Sequence, residues 1–112
     1  HQIEAGCDFF LMPSRYEPCG LNQMYSMRYG TIPVVTRTGG LVDSVDSSSG
    51  FHIEAHTPDA IFAAVSHAVE RYNSEGTEIL QMQQNAMSRD FGLEHSATQY
   101  LKLYGELLAA PA

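Results

Sequence analysis

With 112 residues, 44% hydrophobic and 17% charged, the chain has the composition of one folded globular unit rather than a disordered tail. Its apolar runs stop at four or five residues, far short of the roughly 20 that a membrane helix needs. A net charge of −7 speaks against a nucleic-acid surface, which is usually basic.

The charge is unevenly spread. Residues 1–45 set four acids against three arginines, and residues 46–112 set nine acids against three bases. Cys7 and Cys19 are too few for a disulfide framework and form no C-x-x-C pattern, so both are expected as free thiols. The five histidines lack metal-ligand spacing, and His52, His56 and His67 read as surface residues. The opening "HQIEAGCDFF" reads as the end of a helix running into a strand, so the chain is expected to be a piece of a longer protein.

In chain order, "FFLM" (9–12) is apolar on both faces and fits a strand buried between helical layers. "PSRYEPCG" (13–20) is loop chemistry, with two prolines and a glycine. "LNQMYSMRY" (21–29) places Leu21, Met24 and Met27 at helical spacing, and Gly30 fits the residue that ends the helix. "IPVVT" (32–36) reads as a second buried strand with Pro33 near its start. "RTGG" makes a tight loop, "LVDSV" a helical turn and "DSSSG" a polar turn, and "FHIE" (51–54) alternates like a short edge strand.

Thr57, Pro58 and Asp59 then supply a cap, a first-turn proline and an acid for a helix with Ile61, Val65, Ala68, Val69 and Tyr72 on one stripe. "NSEG" breaks it. A further helix puts Ile79, Met82 and Ala86 on one face. A last one, from about Glu94, is expected to turn Ala97, Tyr100, Leu101, Tyr104, Leu107 and Leu108 inward. Strands alternating with helices predict an α/β parallel sheet, with the last two helices packed over it.

Ligands of such sheets bind beyond the carboxyl ends of the strands. Two such ends are visible, "PSRYEPCG" and "RTGG". The N–H groups near Gly20 to Asn22, where a helix begins, suit a phosphate or a developing negative charge, and Arg15 and Arg37 share that rim. Glu17 fits differently. A carboxylate repels phosphate but accepts from neighbouring sugar hydroxyls and favours positive charge on a sugar ring. Together these describe a nucleotide-sugar pocket. The alternative from the residues alone is that Glu17 caps the next helix and the glycine only turns the chain.

The linked motifs "EPCGLNQ", "RYGTIP" and "TGGLVD", together with the tail "AMSRDF…SATQYLKLYGEL", resemble the C-terminal domain of bacterial glycogen synthases and plant starch synthases. These are retaining glucosyltransferases of the GT-B fold. The resemblance implies that residues 1–112 are one partial domain: the donor-binding half of a Rossmann-like, parallel-sheet C-terminal domain with closing C-terminal helices. "DFGLE" departs from the family's usual "DFSW", leaving the packing of the last helix open.

By that resemblance Glu17 contacts the glucose of ADP-glucose, and the backbone amides of Cys19, Gly20 and Leu21, with Asn22, meet the sugar and distal phosphate. Arg15, Tyr25, Thr38, Gly39 and Gly40 would line the cleft. Many related enzymes carry a second Glu eight residues after the first, where this chain has Tyr25. The implied reaction moves glucose from ADP-glucose to an α-1,4-glucan with retention, with no cofactor and no metal. The implied partners are those two substrates and a separate N-terminal domain, without which the isolated chain is expected to be inactive. No nucleic-acid or membrane partner is expected, and the implied location is the bacterial cytoplasm, or a plastid in a plant or alga. A transferase using UDP- or GDP-sugars and a non-catalytic nucleotide-binding α/β domain remain as alternatives.

Overall fold

The computed structural model describes residues 1–74 and 76–109. A short helix α1 (Gln2–Ala5) leads into β1 (Phe9–Met12), followed by α2 (Asn22–Arg28), β2 (Ile32–Thr36), α3 (Gly40–Ser44) and β3 (Phe51–Ile53). Three helices complete the chain: α4 (Pro58–Ser74), α5 (Gly76–Ser88) and α6 (Leu93–Ala109). The strands form one parallel sheet in the order β1-β2-β3, with Leu11 opposite Val34 and Val34 opposite Phe51. This is the α/β parallel sheet that the strand–helix alternation predicts.

The central strand β2 is buried at all five positions. Because successive side chains point to opposite faces, it feeds two cores. Ile32 and Val34 join Phe51, Ile53, Ala68 and Ile79 on the side of α4 and α5. Val35 joins Met27, Leu41, Val45 and Ala86 on the side of α2 and α3. α5 seals both, Ile79 entering one core and Ala86 the other.

Pro33 is tolerated in this central strand because of register. Adjacent residues aim their N–H groups at opposite neighbours. Ile32 donates toward β1, at Asp8 O (2.9 Å), so the position of Pro33 faces the β3 side, one residue before pairing with β3 begins at Val34. β1 departs from the expected two-sided burial. Leu11 is 46% exposed, since β1 is an edge of the described sheet and the apolar residues of α4 reach Phe9 but not Leu11.

The helix boundaries follow local chemistry. α2 closes with Gly30 at φ +81, its N–H bonding Met27 O (3.0 Å) while Thr31 N–H bonds Ser26 O (2.9 Å), the paired reverse bonds of a left-handed glycine cap. Thr57 Oγ1 accepts from Ala60 N–H (3.3 Å) at the start of α4, as its position before Pro58 predicts. Ala68 is buried on that helix, while Tyr72 lies at the periphery, its hydroxyl donating to Asp8 (3.1 Å). The expected break at "NSEG" falls where α4 ends at Ser74 and α5 opens at Gly76; its Glu75 lies outside the described residues.

The turn before β3 is organised by Asp46. Its carboxylate accepts from Ser48 N–H (2.9 Å), Ser48 Oγ (2.6 Å) and Ser49 Oγ (3.1 Å), and it pairs with Arg89 just beyond α5. The Ser48 hydroxyl above all, helped by Arg89, the Ser48 N–H and the Ser49 hydroxyl, holds this carboxyl well below its ordinary range, although burial pushes it the other way by more than Arg89 alone lowers it. Asn85 adds a second tie, donating to Ser48 O (3.1 Å).

α6 does not close over the sheet. The apolar face expected to turn inward is in the open: Tyr100 is 60% exposed, Leu101 71% and Leu108 88%. No residue of α6 is buried. At its start the Asp90 carboxylate accepts from Gly92 N–H (2.8 Å), an Asx turn that launches the helix away from the sheet. Helical periodicity gathered the apolar side chains on one stripe, but periodicity does not supply a surface to receive it.

Candidate functional site

Since all three strands run the same way, Met12, Thr36 and Ile53 end on one edge of the sheet, and the loops 13–21, 37–39 and 54–57 gather there. Backbone contacts lock them together. Gly40 N–H donates to Glu17 O (2.9 Å), and His56 Nε2 donates to Pro13 O (3.0 Å). Gly39 has φ +48, and a Cβ there would stand 2.0 Å from Glu17 O. A Cβ on Gly40 would stand 2.7 Å from Cys19 Cα. "TGG" therefore does more than turn the chain: its glycines let the second loop lie flat against "EPC".

Glu17 is half-buried, and its carboxylate makes no hydrogen bond or ion pair among the described residues. It does not cap α2, whose N-cap is Leu21 with no side-chain cap bond. The N–H groups of Cys19, Gly20 and Leu21 likewise find no acceptor among the described residues. An unpartnered carboxylate and three unengaged amides thus occupy five successive residues, on a surface open to a ligand.

Gln23 supports this loop from below. It is fully buried, and its Nε2 donates to Cys19 O (3.0 Å), Gly20 O (3.1 Å) and Ser44 Oγ (3.1 Å). Ser44 in turn donates to Gly40 O (2.8 Å). The motif's composition alone assigns this glutamine no task. The signal was there in its spacing, three and four residues after Gly20 and Cys19, since a helical side chain leans back toward the preceding turn.

The other expected site residues divide. Gly39 and Gly40 stand against Glu17 and Thr38 precedes them in the same loop, while Asn22 opens α2 and accepts from Ser26 Oγ (2.6 Å). Arg15 is exposed on the first loop, with no ion pair among the described residues. Arg37 is tied to Glu54 (3.5 Å) in an exposed pair of the kind that contributes little. Tyr25 lies on the flank of α2 with its ring edge-on to His1 (5.6 Å between centroids). It also lines a cavity of roughly 460 Å³ with Leu21, Met24, Arg28, Arg89 and Phe91. Cys7 and Cys19 are exposed free thiols, as their count suggested. Among the described residues no group of three or more His, Cys, Asp or Glu side chains is placed to hold a metal ion.

Comparison with known proteins identifies the lineage. The model of the family "Glycosyl transferases group 1" matches residues 1–87. The chain belongs to this glycosyltransferase family. Within it, the chain is 45% identical over 119 residues to a glycogen synthase of Treponema denticola, covering 100% of this chain and 24% of that protein. It is 50% identical over 118 residues to a glycogen synthase of Cellvibrio japonicus, covering 96% of this chain and 24% of that protein. The chain thus spans about a quarter of the length of these relatives.

Among solved structures, it matches the catalytic domain of starch synthase IV from Arabidopsis thaliana bound to ADP and acarbose. That match has a TM-score of 0.84 and 35% identity, covering 98% of this chain and 24% of that one. It also matches a sucrose-phosphate synthase from Thermosynechococcus elongatus, with a TM-score of 0.70 and 27% identity over 97% of this chain and 27% of that one. The glycosyltransferase chain therefore has the α/β architecture of part of a GT-B catalytic domain, with α6 undocked.

Proposed function

We propose that residues 1–112 are the donor-sugar half of the C-terminal domain of a glycogen (starch) synthase. The full-length enzyme would transfer glucose from ADP-glucose to the non-reducing end of an α-1,4-glucan, with retention. One observation carries this reading: the unpartnered carboxylate of Glu17 beside three unengaged N–H groups, on the ligand edge of a parallel sheet. Relatives named glycogen synthases, and a similar starch synthase structure with ADP bound, support the choice of donor.

In this reading Glu17 accepts from the glucose hydroxyls and favours the positive charge that builds on the ring as the anomeric bond lengthens. The amides of Cys19, Gly20 and Leu21 receive the charge developing on the departing diphosphate, with Arg15 at the rim. Asn22 opens the helix behind them, and Thr38, Gly39, Gly40 and Tyr25 contribute wall. The reaction calls on no cofactor or metal from these residues. Acceptor glucan and the opposite wall belong to another domain, so the isolated chain does not turn over.

An acidic domain makes no call on nucleic acid, no described helix is long and apolar enough to cross a membrane, and a bacterial cytoplasmic setting fits a polymer built from a soluble nucleotide sugar. A UDP- or GDP-sugar donor is the second reading; Tyr25, standing where many such enzymes carry a second Glu, counts against it.

The test is Glu17→Gln in the full-length enzyme, with transfer from ADP-glucose and ADP binding measured side by side. Transfer should fall on the order of 100- to 1,000-fold, the range for losing one transition-state electrostatic contact, with ADP affinity nearly unchanged. Equal loss of both would show that Glu17 is structural.

A further inference from the structure

The geometry points to Gln23 as the residue that aims the donor-site amides, a positioning role that rests on the donor reading above. Its Nε2 holds the carbonyls of two successive residues, Cys19 and Gly20, at 3.0 and 3.1 Å. No peptide bond among the described residues is cis, and in a trans peptide the C=O and the next residue's N–H point in opposite directions. With the carbonyls of Cys19 and Gly20 drawn inward to Gln23, the N–H groups of Gly20 and Leu21 face away from it. These are two of the amides that no described residue accepts from. Successive N–H groups presented together make an anion-binding concavity.

The other half of the Gln23 amide strengthens the inference. Oε1 is buried with no partner, and a Cβ on Gly20 would stand only 2.6 Å from it. Turning the amide over would set Oε1 against two carbonyl oxygens, so this orientation is fixed by its donors. A buried amide whose acceptor goes unmet is costly to the fold. What it supplies in return is the setting of the loop, relayed to the second loop through Ser44 and Gly40.

The test uses the full-length enzyme. Gln23→Met keeps the length and removes both donors. ADP affinity should drop roughly 10- to 100-fold, the range for hydrogen-bond partners standing behind a ligand-contacting group, while affinity for adenosine, which has no phosphate, stays near that of wild type. Gln23→Glu gives a second readout should the methionine variant misfold. Only the protonated acid can donate to a carbonyl, so ADP affinity should rise as pH falls, measured below each protein's melting point. Unchanged ADP affinity in Gln23→Met, parallel loss of ADP and adenosine, or a Gln23→Glu profile identical to wild type would each overturn the proposal. Failure of wild type itself to bind ADP would instead remove the donor reading on which it rests.

Discussion

The carbonyl of Glu17 accepts a 2.9 Å hydrogen bond from Gly40 N–H, joining the loop after β1 to the start of α3 across 23 residues of sequence. The bond engages only the backbone of Glu17 and leaves its carboxylate without a described partner. The backbone and the side chain of Glu17 are thus held in separate surroundings, and the two can be perturbed independently.

Glu17→Gln should leave stability within about 0.5 kcal/mol of wild type, as expected where no packed or paired group is lost. The measurement is the denaturant midpoint of the 112-residue chain. A marked drop would mean that the carboxylate holds the loop after all.

Gly39→Ala should be far more damaging. The left-handed φ of +48 disfavours any side chain, and a Cβ would lie 2.0 Å from a backbone oxygen that cannot retreat without breaking the Gly40 bond. Strain alone costs about 1–3 kcal/mol, so at least about 2 kcal/mol should be lost in urea unfolding. A midpoint equal to wild type would contradict the packing of the two loops.

Asp46 links stability to acid. Its folded carboxyl lies well below the ordinary value of 3.8, so its contribution is present above that value and is lost as pH falls toward its folded pKa. Melting temperature should therefore fall more steeply below about pH 4 in wild type than in Asp46→Asn, which lacks the titrating group. Parallel slopes would show that the Ser48 and Arg89 contacts add nothing in solution.

Core and tail should respond oppositely. Ile79 is 4% exposed, and Ile79→Ala is expected to cost about 2–5 kcal/mol. Leu101, 71% exposed on α6, should tolerate Leu101→Ser within about 0.5 kcal/mol in the same chain. Urea midpoints of the two variants decide it, and comparable losses would show that α6 packs onto the sheet in solution.

Much of this architecture was legible from short-range chemistry. "IPVVT" is a fully buried strand because apolar residues bounded by turn signals have few other uses. Gly30 and Thr57–Pro58 end and begin helices where backbone sterics and capping bonds require. The placement of Glu17 with "TGG" was legible too, because parallel strands deliver their loops to a common edge. Less visible were contacts whose partners lie far apart in the chain: Ser44 under Gln23, His56 on Pro13, Arg89 on Asp46. The spacing of Gln23 hinted at its local carbonyl bonds, but a glutamine two residues into a helix usually faces water, and only the crossing of α2 with α3 buries it.

By itself, then, the sequence determined the order and type of the elements, the strand edge on which polar groups collect and the family motif that they carry. Those features depend on periodicity, capping and glycine sterics, all of which act within a few residues. Tertiary structure alone decided that the Glu17 side chain is left unpartnered, that Gln23 turns two carbonyls inward, and that the apolar stripe of α6 meets no described surface. Each depends on which surfaces meet in space, and an amphipathic pattern fixes which face of an element is apolar without fixing what covers it.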